Sequence, residues 1–208
     1  MTPEATPATR SRMPRAEREA QILAVAEQVF AERGFQATTM EDVAERVGVT
    51  KPMIYGYFGS KEGLLAACVA SARSQLLQAT EAAWEAVPEG SSVEEQFRAG
   101  VGAFFSFIDE HASAFALITH EGAMQASAAA GIESIRRQQT AFIVRTLQQR
   151  AGLDAVPTTL LEGYAEVVVG ACERLAIWRA RQERPVSAED VTELVMGGVW
   201  HGLSRLIP

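Results

Sequence analysis

Cysteine is nearly missing from this chain: Cys68 and Cys172 are the only two in 208 residues, with no CxxC and no Cys/His cluster. That excludes a disulfide scaffold and argues against a structural zinc site. Histidine is scarce too, and His111, His120 and His201 include no pair at the i, i+4 spacing of a helical metal site. No GxSxG, HExxH or glycine-rich phosphate loop is present. An enzyme is therefore the rival the residues favour least, and no catalytic residue, cofactor or metal is expected. Long apolar runs are also lacking. The longest charge-free stretches, such as Gly122–Ile132 and Leu194–Ser204, reach 11 residues, against the ~18 that a membrane helix needs. The N-terminus is polar and proline-rich, without the apolar run of a signal peptide. A cytoplasmic chain with no membrane partner is expected.

What is present is ordinary for a globular chain: 48% hydrophobic and 22% charged residues, in a length that buries a core without staples. The net charge of −7 argues at first against nucleic acid, but it is unevenly spread. Residues 1–61 hold eight basic and eight acidic side chains, and the whole deficit lies in 62–208. The only two lysines, Lys51 and Lys61, fall in that balanced first part. Codon bias toward arginine accounts for this blandly; a sharper account keeps compact charges where phosphates are gripped.

Beyond an arm over 1–14, which reads as disordered, apolar residues recur with a period of 3.6 and no strand-like alternation stands out. The class is all-α, with about nine helices. The first covers 15–33, with Ile22, Leu23, Ala26, Val29 and Phe30 as its stripe, Gly34 as its stop and Phe35 folded back. Thr39 and Asp42 have capping-box spacing for a second helix that ends at Gly48. Thr50 caps a third over 51–58, with Pro52 tolerated in its first turn. Ser60 caps a long fourth helix to about Val87. Five more follow, near 92–110, 112–121, 132–151, 158–184 and 188–206, with a small-residue loop over 122–131. The expected division is an arm (1–14), a three-helix head (15–60) and a body (61–208).

Two short helices joined by a Gly-Val-Thr turn form a helix-turn-helix, and one such helix fits a major groove ~12 Å wide. A plain helical hairpin is the bland alternative. Residues 38–65, TTMEDVAERVGVTKPMIYGYFGSKEGLL, closely resemble the DNA-binding signature of tetracycline-repressor-like (TetR family) regulators. The match includes the threonine before the second helix, the VAERVGV packing core and the IYxYFxSKExLL exit. The resemblance implies a phosphate contact at Thr39. It implies a recognition helix opened by Thr50, Lys51, Pro52 and Met53, with Tyr55 and Tyr57 reaching phosphates. It implies a backbone clamp at Lys61. Gly56 replaces the bulkier residue common at its position. Arg10, Arg12, Arg15 and Arg18 form either a minor-groove arm or a solvated tail.

In the body, Phe97, Val101, Phe104 and Ile108 share a helix face, with Phe105 and Phe107 broadening the arc. That reads as a core helix whose rings also line a small-molecule pocket. Gln139 falls mid-stripe between Ile135 and Phe142, where an amide needs a ligand or a backbone partner. Phe104, Phe107, Phe115, His120, Gln139, Phe142, Tyr164, Arg174 and Trp178 are the candidate ligand-binding residues. The last helix shows two apolar faces. Met196, Trp200 and Leu203 on one, with Gly198 and Gly202 permitting close approach, mark the expected homodimer interface, which the resemblance also implies. Together these describe a ligand-responsive regulator, a repressor released from a palindromic double-stranded operator by a small apolar effector. The alternative is a DNA-binding regulator or architectural protein with no small-molecule ligand.

Overall fold

The computed structural model describes residues 13–113 and 126–203, and all regular structure among them is helical. The eight helices are α1 (Arg15–Ala37), α2 (Met40–Val47), α3 (Lys51–Phe58), α4 (Lys61–Glu85), α5 (Val93–Glu110), α6 (Ala126–Ala151), α7 (Thr158–Arg179) and α8 (Ala188–Val195). The last runs on through a wide π turn, Met196–Trp200, into a final turn, His201–Leu203. The helix expected over 112–121 lies almost wholly outside the described residues, as do Phe115, His120 and nearly all of the N-terminal arm. The loop expected over 122–131 is helical from Ala126 onward; its alanines are the strongest helix formers available.

Local chemistry sets most helix ends. Gly34 breaks α1 at φ 76° and ψ 160° before the chain resumes to Ala37, and Phe35 turns back onto Phe30, ring centroids 5.9 Å apart. Thr39–Asp42, Ser92–Glu95 and Ser187–Asp190 each form a complete capping box. In these, side chain and backbone satisfy each other's orphan donors. Ser60 accepts from the Gly63 N–H at 3.0 Å. Thr50 differs from expectation: its side chain caps nothing.

Two clusters of buried side chains form the core. One gathers Ile22, Ala26, Val29 and Phe30 of α1, Val43, Ala44 and Val47 of α2, and Ile54 of α3. It also takes Leu64, Leu65, Cys68, Val69 and Ala72 of α4. The head's core thus reaches three turns past the boundary expected at residue 60. The second cluster is built from Leu76 and Trp84 of α4 and from α5, α6, α7 and α8. Helix α4, ~37 Å long at ~1.5 Å per residue, therefore belongs to both cores. Midway along it, Arg73 is buried and its Nη1 donates to Glu173 Oε1 of α7 at 3.0 Å. Arg136 of α6 approaches the other Glu173 oxygen at 3.9 Å. No described helix is long and apolar enough to cross a membrane.

Candidate nucleic-acid interface and effector cavity

Helix α3 is held from its two ends and through one buried side chain, Ile54. At the front, Gly48 turns the chain at φ 78°, and the Gly48 and Val49 N–H groups both donate to Ala44 O. At the back, Gly59 (φ 74°) reverses the chain, and Gly63 passes so near Phe58 that a Cβ there would lie 2.1 Å from the Phe58 carbonyl oxygen. Gly63 is a positioning residue that motif reading overlooked. A glycine in the first turn of a helix, where alanine would be more stable, was its signal.

The rest of α3 faces outward. Lys51, Pro52, Met53, Tyr55 and Gly56 are exposed, and Tyr57 is half-buried. Nothing lies within 4 Å of a Cβ built on Gly56, so the middle of the exposed face carries a notch. The Arg15 guanidinium sits 5.0 Å over the Tyr57 ring, tying the start of α1 to α3. Lys51 Nζ lies 3.5 Å from Glu41 Oε2. Thr39 is exposed, but its hydroxyl donates to Asp42 Oδ2 at 2.6 Å, and its N–H donates to the same oxygen at 2.8 Å. These bonds, with the Arg33 guanidinium beside them, hold the Asp42 carboxyl below its ordinary pKa. The N–H groups of Met40 and Glu41, at the first two helical positions, have no partner within α2.

Lys61 departs from its expected part. Its ammonium donates to the backbone carbonyls of Phe35 at 2.9 Å, Thr38 at 3.0 Å and Gln36 at 3.5 Å, and lies 4.3 Å from the Phe35 ring centroid. All three of its donors are thus committed to the connection between α1 and α2. Lys61 braces the start of α4 against that connection instead of presenting a free charge to a phosphate.

In the body, α4, α5, α6 and α7 enclose a narrow cavity of about 50 Å³. Phe104, Gln139 and Phe142 line it as the sequence suggested. Of the other predicted residues that are described, none does. Phe107 is buried but stacks on His111, ring centroids 4.3 Å apart. Tyr164 packs half-buried against the body core. Arg174 and Trp178 are exposed on the outside of α7. The buried stripe of α7 is Leu161, Ala165, Val168, Cys172 and Ala176, and both residues fall well off it on the helical wheel. Helix α4 contributes Thr80 and Trp84, which the sequence reading missed. So do Phe97, Gly100 and Val101 of α5, Ile143 of α6, and Val168, Val169 and Cys172 of α7. Burial pushes the Cys172 thiol up to about 12, with the neighbouring Glu173 carboxylate adding to the shift; it stays a neutral S–H.

The expected dimer face also needs correction. Met196 and Trp200 are buried in the chain's own core, with Trp200 against Phe97 at 5.4 Å between ring centroids. Met196 directly continues the buried side of α8, and the wider i→i+5 winding of the π turn keeps Trp200 closer to that side than an α-helix would. Gly198 and Gly202 are exposed, and the side chain of Leu203 lies outside the described residues. Four of the seven exposed large apolar side chains among the described residues are Leu160, Val167, Trp178 and Leu194, on the last two helices. At ~100° per residue the three on α7 fall within about 20° of one another.

Known proteins share this arrangement. Residues 22–68 match the bacterial regulatory proteins of the tetR family, and residues 93–202 match the tetracyclin repressor-like C-terminal domain. The chain is 27% identical over 197 residues to the HTH-type transcriptional activator FasR of Mycolicibacterium smegmatis, covering 94% of this chain and 87% of that protein. A TetR-like transcriptional regulator from Rhodococcus sp. RHA1 superposes with a TM-score of 0.68 at 30% identity, over 93% of this chain and 99% of the other. The transcriptional regulator FadR from Bacillus subtilis, solved in complex with stearoyl-CoA, has the same fold, with a TM-score of 0.70 at 17% identity over 90% and 97%. The head that presents α3, the α4 shared between two cores and both domain matches lead to one conclusion: the chain belongs to the tetR family of bacterial transcriptional regulators.

Proposed function

We propose that the protein is a ligand-responsive repressor, acting in the cytoplasm, that binds a palindromic operator as a homodimer and leaves it when a small apolar effector enters the body cavity. The observation that carries this is the double membership of α4. Its first half packs into the head, while its second half supplies Thr80 and Trp84 to the cavity wall. A ligand that widens a cavity this narrow presses on α4 as on the three other helices of its wall, and a shift of α4 is passed to the head through the core they share. Recognition helices of a dimer must stand ~34–36 Å apart to enter successive major grooves, so a small tilt is enough. A coupling of ~1–3 kcal/mol changes operator affinity ~5–150-fold.

Base contacts fall to Thr50, Lys51, Pro52, Met53 and Tyr55, with the Gly56 notch able to admit a thymine methyl group. Phosphate contacts fall to Tyr57 and to the α2 N-terminus at Thr39. Dimerisation uses the outer faces of the last two helices, with Val167, Trp178 and Leu194 as apolar contacts and Gly198 and Gly202 allowing close approach. The test is fluorescence anisotropy on DNA upstream of the coding sequence, for the wild type and Val167→Glu. A palindromic fragment bound far more tightly than scrambled DNA, with the variant monomeric and much weaker, supports the reading. Equal binding to all sequences would instead favour an architectural protein.

A further inference from the structure

Among the described residues of the cavity wall, half-buried Gln139 has an amide free to donate or accept, and one fully buried polar atom has nothing to bond. Trp84 is 4% exposed, and its Nε1 is buried with no hydrogen-bond partner. The indole cannot turn to find one. Phe97 and Phe142 hold it edge-on, with ring centroids at 6.3 and 6.1 Å. Its benzo edge lies against Gly100, where an added Cβ would be 3.0 Å from Trp84 Cε3. Nε1 is on the opposite long edge of the ring. A buried N–H left unpaired is among the costlier defects a core can carry, and this one persists in the wall of a cavity.

The remaining wall narrows the chemistry of an occupant. Among the described lining residues none is Asp, Glu, Lys, Arg or His, so an ion held against these residues would be stripped of water without a counter-charge from any of them. The Thr80 hydroxyl already donates to Leu77 O at 2.8 Å, which leaves it only lone pairs to offer. The Cys172 thiol is neutral and a weak donor. The fixed indole N–H is therefore the strong donor of the α4 wall, and it calls for an acceptor.

We propose that the effector is an uncharged, largely apolar molecule whose hydrogen-bond acceptor, a carbonyl or ether oxygen, seats on the Trp84 indole N–H. This rests on the effector-cavity reading above and adds the anchor and the exclusion of charge. Pairing the donor also explains how entry of a ligand reaches the head. Trp84 sits on α4, so a ligand that engages its indole acts directly on the helix that carries the recognition unit.

The test uses the full chain, isotopically labelled for indole N–H detection, and three probes of one chain length: 2-octanone, n-octane and ionised octanoate. The ketone is expected to bind about tenfold more tightly than the hydrocarbon, the yield of one neutral hydrogen bond, and octanoate most weakly. The ketone alone moves the Trp84 indole proton downfield. Trp84→Phe removes the ketone's advantage, so that ketone and octane bind the variant with equal affinity. If that variant does not fold, the wild-type resonance carries the test, assigned by elimination from Trp178→Phe and Trp200→Phe. Equal affinity for ketone and hydrocarbon, tightest binding of octanoate, or an unmoved Trp84 resonance overturns the assignment while the cavity reading stands. Failure of all three probes to bind overturns both.

Discussion

Replacing Lys61 by methionine separates two functions that a basic residue at the start of α4 can have. Methionine keeps the apolar stem and removes the ammonium. In the structure that ammonium serves the Phe35, Gln36 and Thr38 carbonyls and the Phe35 ring. A hydrogen bond from a charged donor contributes ~1.5–3 kcal/mol, and an exposed cation–π contact ~0.5–1 kcal/mol. Lys61 is only half-buried, and water can replace part of what is lost, so about 2 kcal/mol is the working figure. At ~2–4 °C per kcal/mol for a chain of this size, Tm falls by about 4–8 °C. Operator affinity falls as well, because the α1–α2 connection loses its hold on α4 and Thr39 follows it. The slope of log affinity against log salt should stay near that of the wild type. A residue gripping a phosphate behaves differently: its loss lowers the slope by ~0.9 and leaves Tm alone. Calorimetry on the free protein and anisotropy across a salt series measure both quantities. An unchanged Tm together with a slope reduced by ~0.9 would refute the brace and restore the phosphate clamp.

Gly63→Ala places a methyl group 2.1 Å from the Phe58 carbonyl oxygen. It should displace the end of α3 and abolish specific operator binding, whereas Gly56→Ala, in open space on the same helix, should gain ~0.8–1 kcal/mol of helix propensity and alter base preference only. Arg73→Met removes Glu173's buried partner while Arg136 stays 3.9 Å from the other carboxylate oxygen, so the cost should be ~1.5–3 kcal/mol, the worth of a hydrogen bond between charged groups, read by urea denaturation; a loss under ~1 kcal/mol would show that the pair does not hold α4 to α7. The carboxyls of Asp42, Glu95 and Asp190 are held below their ordinary values, chiefly by hydrogen bonds from Thr39, Ser92 and Ser187. A lowered folded pKa means stability that is full above the unfolded values of ~4 and lost as pH falls through the folded ones. Thermal stability should therefore drop below about pH 4, and Ser187→Ala should flatten part of that drop. Glu27, raised by burial, acts in the opposite sense, so Glu27→Gln should stabilise the protein at neutral pH.

Features whose causes lie within a few residues were legible in the chain itself. The capping boxes at Thr39, Ser92 and Ser187, the break at Gly34 and the turn at Gly48 follow from interactions spanning three to five positions. So does the helix-turn-helix, and with it the exposed face of α3. Gln139 and Phe142 were found at the cavity because a polar group in an apolar stripe is itself a local signal. Tertiary structure decided what depends on distant partners. Lys61 looks like a free charge until the fold brings carbonyls 23 to 26 positions away within reach of it. Trp84 becomes an unpaired donor only when Phe97, Gly100 and Phe142 close around it. Arg174 and Trp178 left the expected pocket because the buried side of α7 is chosen by which helices pack against it, not by its own pattern alone. Trp200 was drawn inward by the wider winding of a π turn, which a wheel drawn at ~100° per residue cannot represent. Sequence period specifies which residues share a face; only packing specifies which face meets the core.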